Sequence, residues 1–270
     1  MNRETLAKSL CMNVALEPGD LIEEHMLDIR SPGKGLQPNH KPDLVGRRAL
    51  RRLSPGDLLY LSDLGEKTHI PREYNFSQPF GIPVRYHDLN ALAALSNFDL
   101  LEFHLSYHDL EEKIETHLTK KMSVEFLVHA PELFRGDHIL DLSSHDEDYR
   151  RCSIENLSKV IDVTKNLREW FVGSEKPKII VNVGGFTMDK PMEIKKRVAC
   201  YKMVAESLQQ LDLKEVEILP QTMPPFPWHF GGQRFHNLFV DPSEIVEFCR
   251  QYGFRMCLDI SHSKLACNYY

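Results

Sequence analysis

The chain has 270 residues, of which 42% are hydrophobic and 27% charged, and its formal net charge is -6. That is the composition of a globular protein long enough for one large domain or two unequal ones. The acidic balance argues against a duplex nucleic-acid binder, which carries a basic face, and no apolar run approaches the ~20 residues of a membrane span. One basic cluster stands out: Arg47, Arg48, Arg51 and Arg52. It reads as a solvated face, with an anionic sugar or phosphate contact as the alternative. The six cysteines form no Cys-x-x-Cys pair. They read as reduced thiols of a cytoplasmic protein, and the first ten residues lack the apolar core of a secretory signal.

The first sixty-odd residues hold an internal repeat. "LEPGDLIEEHMLDI", from Leu16, returns as "LSPGDLLYLSDLG", from Leu53. Each copy opens on Pro-Gly-Asp, a tight-turn signal, followed by an apolar pair and a short segment containing Asp. Between the copies, "RSPGKGLQPNHKPDLVG" is too rich in Pro and Gly for a long helix or a central strand. Residues 1–65 therefore read as a small, turn-dense β domain. The run "PGDLIEEHMLDIRSPGKGLQP…LVGRRALRRLSPGDLLYLSDL" resembles the SAF, or antifreeze-like, domain of sialic acid (nonulosonic acid) synthases, including N-acetylneuraminate synthase. The resemblance implies a β-clip fold, and a homodimer or synthase-domain partner engaged through this domain. It also implies a basic substrate contact next to Pro-Gly. The family carries Arg immediately before that Pro; here Ser31 stands there and Arg30 lies one earlier, so Arg30 is the residue to which the contact carries over.

Residues 66–80 are polar, hold two prolines and show no period, so they read as a linker. From residue 81 onward strand-like and helix-like runs alternate. Strands are expected at 82–86, 100–105, 124–128, 178–183, 216–219 and 255–260. Amphipathic helices are expected between them. One begins near Ser153 as N-cap. Another has Asp241 as N-cap, Pro242 at its first position and Gly253 past its end. Alternating β and α implies a parallel sheet. The expected fold of 81–270 is an incomplete (β/α) barrel with about six of eight βα units, and the open plan predicts an unpaired strand edge.

Chemistry in such a barrel sits where strands end. Those positions hold Glu102 and His104 on one face of the second strand, His129, Asn182, Gln221 and, on the last strand, Asp259 with His262 nearby. Glu217 lies on the same face as Gln221 but lower in the barrel. Mixed nitrogen and oxygen donors at one rim suit a divalent cation, which polarises a sugar carbonyl. Trp228, in the aromatic loop "PPFPWHFGGQRFHNLF", is a candidate wall for a sugar ring. "FDLLEFHLSYHDL", "VHAPEL", "QTMPPFPWHFGG" and "CLDISHSKLACNY" resemble, in order, the strand ends of xylose-isomerase-like barrels. In that family the motif echoed by "LDISH" places metal on its Asp and metal or substrate on its His. The resemblance implies metal ligation by Asp259 and His262, with Gln221 where the family carries its own ligand. It departs at Asn182 and Gln221, which are neutral where the family presents His and Glu.

The reading is a sugar isomerase or epimerase linked to sialic acid biosynthesis. It would act on a sugar or sugar phosphate by metal-assisted proton or hydride transfer next to the carbonyl. Glu217 or Glu102 would serve as base and His262 as a further catalytic group. His104, His129, Asn182, Gln221, Trp228 and Arg30 would bind substrate. The alternative is a non-catalytic sugar-binding or assembly module. The resemblances also lead one to expect a synthase barrel ahead of the first domain and two more strands beyond Tyr270. Without those strands, the chain alone would be weakly active or inert.

Overall fold

The computed structural model describes residues 7–65, 72–173, 176–225 and 234–269. The chain divides into two units, Met1–Ile70 and Pro71–Tyr270.

The first unit is built from two copies of one pattern. Strand β1 (Ser9–Met12) pairs antiparallel with β2 (Leu27–Arg30). Residues 37 positions apart, such as Leu16 and Leu53 or Asp20 and Asp57, then make matching bonds across the unit. Leu16 and Leu53 exchange both backbone hydrogen bonds, each 2.9 Å. Met12 donates to the Asp57 carbonyl at 2.9 Å, and Ala49 donates to the Asp20 carbonyl at 2.8 Å. Within each Pro-Gly-Asp turn the carboxylate accepts from the backbone three residues earlier, Asp20 from Glu17 and Asp57 from Ser54, both at 2.8 Å. Gly19 and Gly56 take φ of 98° and 93°, a region open to glycine at little cost. The repeat is thus a pseudo-two-fold, with Leu10, Met12, Ile22, Leu53 and Leu59 buried at its centre.

The arginine cluster lies at the solvent face as expected, with Arg47, Arg48 and Arg52 exposed and Arg51 half-buried, and its guanidinium groups also brace the loops around helix α1 (Lys41–Leu44). Arg47 donates to the carbonyls of Asp43 and Leu64, and Arg48 to that of Gly19. Arg51 binds Asp63 through two N–H groups at 2.7 and 3.0 Å. Asp63 is buried and also accepts the Tyr60 N–H at 2.8 Å. Arg52 pairs with Glu17 at 3.1 Å in the open.

The second unit holds a parallel sheet of five strands: β3 (Gly81–Val84), β4 (Leu100–His104), β5 (Glu125–His129), β8 (Lys178–Val181) and β10 (Glu217–Pro220). Their spatial order is β10-β8-β5-β4-β3. Two small antiparallel pairs flank it, β6 (Leu133–Phe134) with β7 (His138–Ile139), and β9 (Phe186–Thr187) with β11 (Phe235–His236). The helices are α2 (Leu89–Ala93), α3 (Glu147–Arg168), α4 (Ile194–Leu208), α5 (Pro242–Tyr252) and α6 (Ile260–Tyr269). Side chains alternate across the sheet. Leu101, Phe103, Phe126, Val128, Ile179 and Val181 bury one face in the main core, which α3 and α4 complete through Leu157, Val160, Val204 and Leu208. The polar strand residues occupy the other face.

Two expectations are corrected. Helix α3 starts at Asp146, whose carboxylate caps the N–H groups of Asp148 and Tyr149, two turns before Ser153. Its first turns are polar, so apolar periodicity does not reveal them. Ser153 is buried inside the helix and its Oγ takes the Asp141 N–H at 3.0 Å. The sixth strand is also replaced. Cys257 forms a single parallel bridge with Gln221. The chain then turns because the Thr222 hydroxyl, not a backbone carbonyl, accepts the Asp259 N–H at 2.9 Å. The Asp259 carboxylate takes the His262 N–H at 2.8 Å, which caps the start of α6. The barrel is therefore open. Helix α5 matches expectation at both ends, with Asp241 as N-cap, Pro242 first and Gly253 at φ 73°. In the stretch read as a linker, residues 66–71 lie outside the described residues. Past them, Asn97 holds Tyr74 through N–H and carbonyl at 2.7 and 2.8 Å.

Removing one partner of a buried carboxylate costs far more than removing an exposed ion pair. Arg51→Ala is expected to destabilise the first unit by about 2 kcal/mol, whereas Arg52→Ala leaves it unchanged, measured by urea denaturation of the full chain.

Candidate active site

The register of the parallel ladder assembles the site. His104 of β4 lies level with His129 of β5, and their rings stack with centroids 4.8 Å apart and 21° between planes. Two residues before His104 and on the same face, Glu102 brings a carboxylate oxygen to 2.6 Å from His104 Nε2. This carboxylate–imidazole pair is half-buried, not enclosed. His129 Nδ1 meets the Ala130 carbonyl at 3.1 Å, and its Nε2 meets Gln221 Oε1 at 3.3 Å. A carbonyl only accepts, so Nδ1 carries hydrogen. The contact with Gln221 Oε1 calls for hydrogen on Nε2 as well; in a neutral ring Nε2 accepts instead, and the Gln221 amide presents its NH2 group.

A second group sits where the sixth strand was expected. His262 Nδ1 donates to the Thr222 carbonyl at 2.8 Å and lies 3.4 Å from Asp259 Oδ2. Thr222 Oγ1 donates back to the Asp259 carbonyl at 3.2 Å. Thr222 thus joins the end of β10 to both Asp259 and His262. Cys257 lies beside Gln221 in the bridge. Burial, then the Glu102 and Asp259 carboxylates, push its thiol up to about 11, so it is neutral at ordinary pH.

The other expected residues fall elsewhere. Asn182 is buried, accepts the Gly184 N–H at 3.2 Å and approaches Glu132 Oε1 at 3.4 Å. Glu217 is tied to Arg255 by two N–H···O contacts at 2.6 and 2.5 Å. That ion pair holds its carboxyl below the usual range. Arg30 pairs with Asp28 at 2.6 Å on the open surface of the first unit. Trp228 lies outside the described residues. Glu132 and Cys257 are neighbours that sequence reasoning did not assign to the site. "HAPEL" places Glu132 three residues past His129, which was the available signal for it.

Among the described residues no three His, Cys, Asp or Glu side chains are grouped to hold a metal ion. Asp259 spends one oxygen on the N–H of His262, and the Gln221 amide engages His129. The present arrangement is one of carboxylate–imidazole pairs and does not fit a chelate. No helix among the described residues is long and apolar enough to cross a membrane.

A parallel sheet with helices packed on one face and ionisable side chains gathered at the carboxyl ends of its strands defines an α/β-barrel-class protein. Comparison makes the family specific: residues 90–268 match the xylose isomerase-like TIM barrel, and the chain belongs to that family. Residues 8–65 match the SAF domain. No curated protein is a significant match. Among solved structures, a D-tagatose 3-epimerase-like protein is similar at 20% identity and a TM-score of 0.46, over 69% of this chain and 66% of that one. L-ribulose 3-epimerase is similar at 16% identity and 0.44, over 68% and 62%. The chain thus spans less than two thirds of the length of either.

Two measurements check this geometry. Alkylation of Cys257, followed by peptide mass spectrometry, is expected to lag behind exposed Cys267 at pH 8 and to climb until about pH 11. Glu102→Gln removes one charge that opposes the thiolate, so Cys257 should react faster at a given pH. Separately, a Cβ at Gly184 would fall 2.3 Å from Asp141 Oδ1, at φ 91°. Gly184→Ala should therefore destabilise the fold by about 2 kcal/mol or more, read by thermal denaturation.

Proposed function

We propose that the barrel unit is a sugar isomerase or epimerase that moves a proton next to a sugar carbonyl. The observation that carries this reading is the 2.6 Å Glu102–His104 pair stacked on His129. In the proposed step Glu102 takes the proton from the carbon beside the carbonyl, and the electron pair passes to the carbonyl oxygen as an enediolate. Hydrogen-bond donors at the strand ends stabilise that oxygen. Return of the proton to the other face, or to the neighbouring carbon, gives epimer or isomer. His104 holds the Glu102 carboxylate in place. Gln221 supplies a neutral hydrogen-bonding group suited to sugar hydroxyls. His262, set by Thr222 and Asp259, is the second candidate for proton transfer.

Glu217 is assigned away from the chemistry, because Arg255 already holds its carboxylate. No step is routed through a metal ion, since the donors among the described residues do not form a chelating set. The SAF domain supports a place in sialic acid-type sugar metabolism, with a sugar or sugar phosphate as substrate. All six cysteines are unpaired, which supports a reducing, cytoplasmic setting. The second reading is a non-catalytic sugar-binding module. The Glu217–Arg255 lock favours it, since it removes one of the two carboxylates expected as base.

The test is exchange of the carbon-bound hydrogen with D2O, followed by NMR on a panel of ketoses, aldoses and N-acetylated amino sugars. Glu102→Gln is expected to slow exchange by about 100-fold or more, while Glu217→Gln leaves it within about threefold. Binding without exchange across the panel would support the module reading and sink the enzyme. A panel showing neither binding nor exchange would count against both.

A further inference from the structure

On the opposite side of the sheet from the site, α4 and α5 form a groove of about 580 Å³. Its floor is aromatic: Tyr201 and Phe248 rings lie 5.6 Å apart, and Phe248 and Tyr252 lie 5.1 Å apart. Val198, on the α4 wall, is 65% exposed, and Ile194 one turn earlier is 66% exposed. Neighbouring apolar side chains left open on a helix that otherwise buries its apolar stripe mark a contact surface. The charges around the groove are sorted by helix. Lys195 stands on α4, and Glu247 stands on α5 across from it. Neither has an ion-pair partner among the described residues.

A surface with cations on one helix and anions on the adjacent helix is its own complement under a two-fold axis. Turning a second copy by 180° brings α4 of each against α5 of the other. Lys195 then faces the partner copy's Glu247 twice over, and the Val198 side chains close the groove. We infer that the α4–α5 groove is an isologous dimer interface of this chain. The inference is independent of the chemistry proposed for the strand ends and gives the barrel unit its own route to a dimer.

The experiment is sedimentation equilibrium of the full chain at two salt concentrations. Wild type is expected to dimerise, more weakly at high salt. Lys195→Glu or Glu247→Lys alone should weaken dimerisation about tenfold or more, and the double reversal should restore it to within about threefold of wild type. Val198→Glu, on an exposed position that leaves the fold intact by circular dichroism, should abolish the dimer. A wild-type chain monomeric at about 100 μM would overturn the inference. So would a dimer indifferent to Val198→Glu, or single reversals that the double change does not repair.

Discussion

Burial of one face of the parallel sheet fixes where every functional side chain on the other face can stand. Leu101, Phe103, Phe126, Val128, Ile179 and Val181 are all buried. A slip of one residue in any strand would turn its apolar set away from the helices and its polar set into them. Register is therefore set by the core, and the His104–His129 level follows from it. The stacked imidazoles are a product of hydrophobic packing elsewhere in the strand, with no need for a strong attraction of their own.

That logic explains what was legible in the residues. Alternation in "LLEFHL" and "EFLVHA" places Glu102, His104 and His129 on one face because period-2 burial is written locally. Helix α5 was legible at both ends because its caps are single residues with fixed geometry. The sixth strand was not. Its residues look like a strand, but the hydroxyl of Thr222, 37 positions away in sequence from Asp259, takes over the N–H that a ladder would have used. The first two turns of α3 were hidden for a different reason: they carry few apolar side chains, so no apolar period announces them. The partner that withdraws Glu217, Arg255, lies 38 positions on, beyond the reach of any local pattern.

Among the described residues, the strand ends carry carboxylate–imidazole pairs where the motifs suggested a metal site. A cation site requires several donors with unspent lone pairs aimed at one point. Here the carboxylates face imidazoles or backbone N–H groups, and the residue at position 221 is a neutral amide that engages His129. Carboxylate–imidazole contacts are suited to passing protons.

The doubled architecture of the first unit carries a consequence for its failure. Each copy of the repeat, offset by 37 positions from the other, leaves backbone N–H and carbonyl groups that the other copy satisfies, through the reciprocal Leu16–Leu53 bonds and the paired contacts of Met12 and Ala49. Mutual satisfaction of this kind ties the two copies into one cooperative unit. The two halves therefore unfold together, and damage to one copy of the turn is transmitted to its twin across the axis.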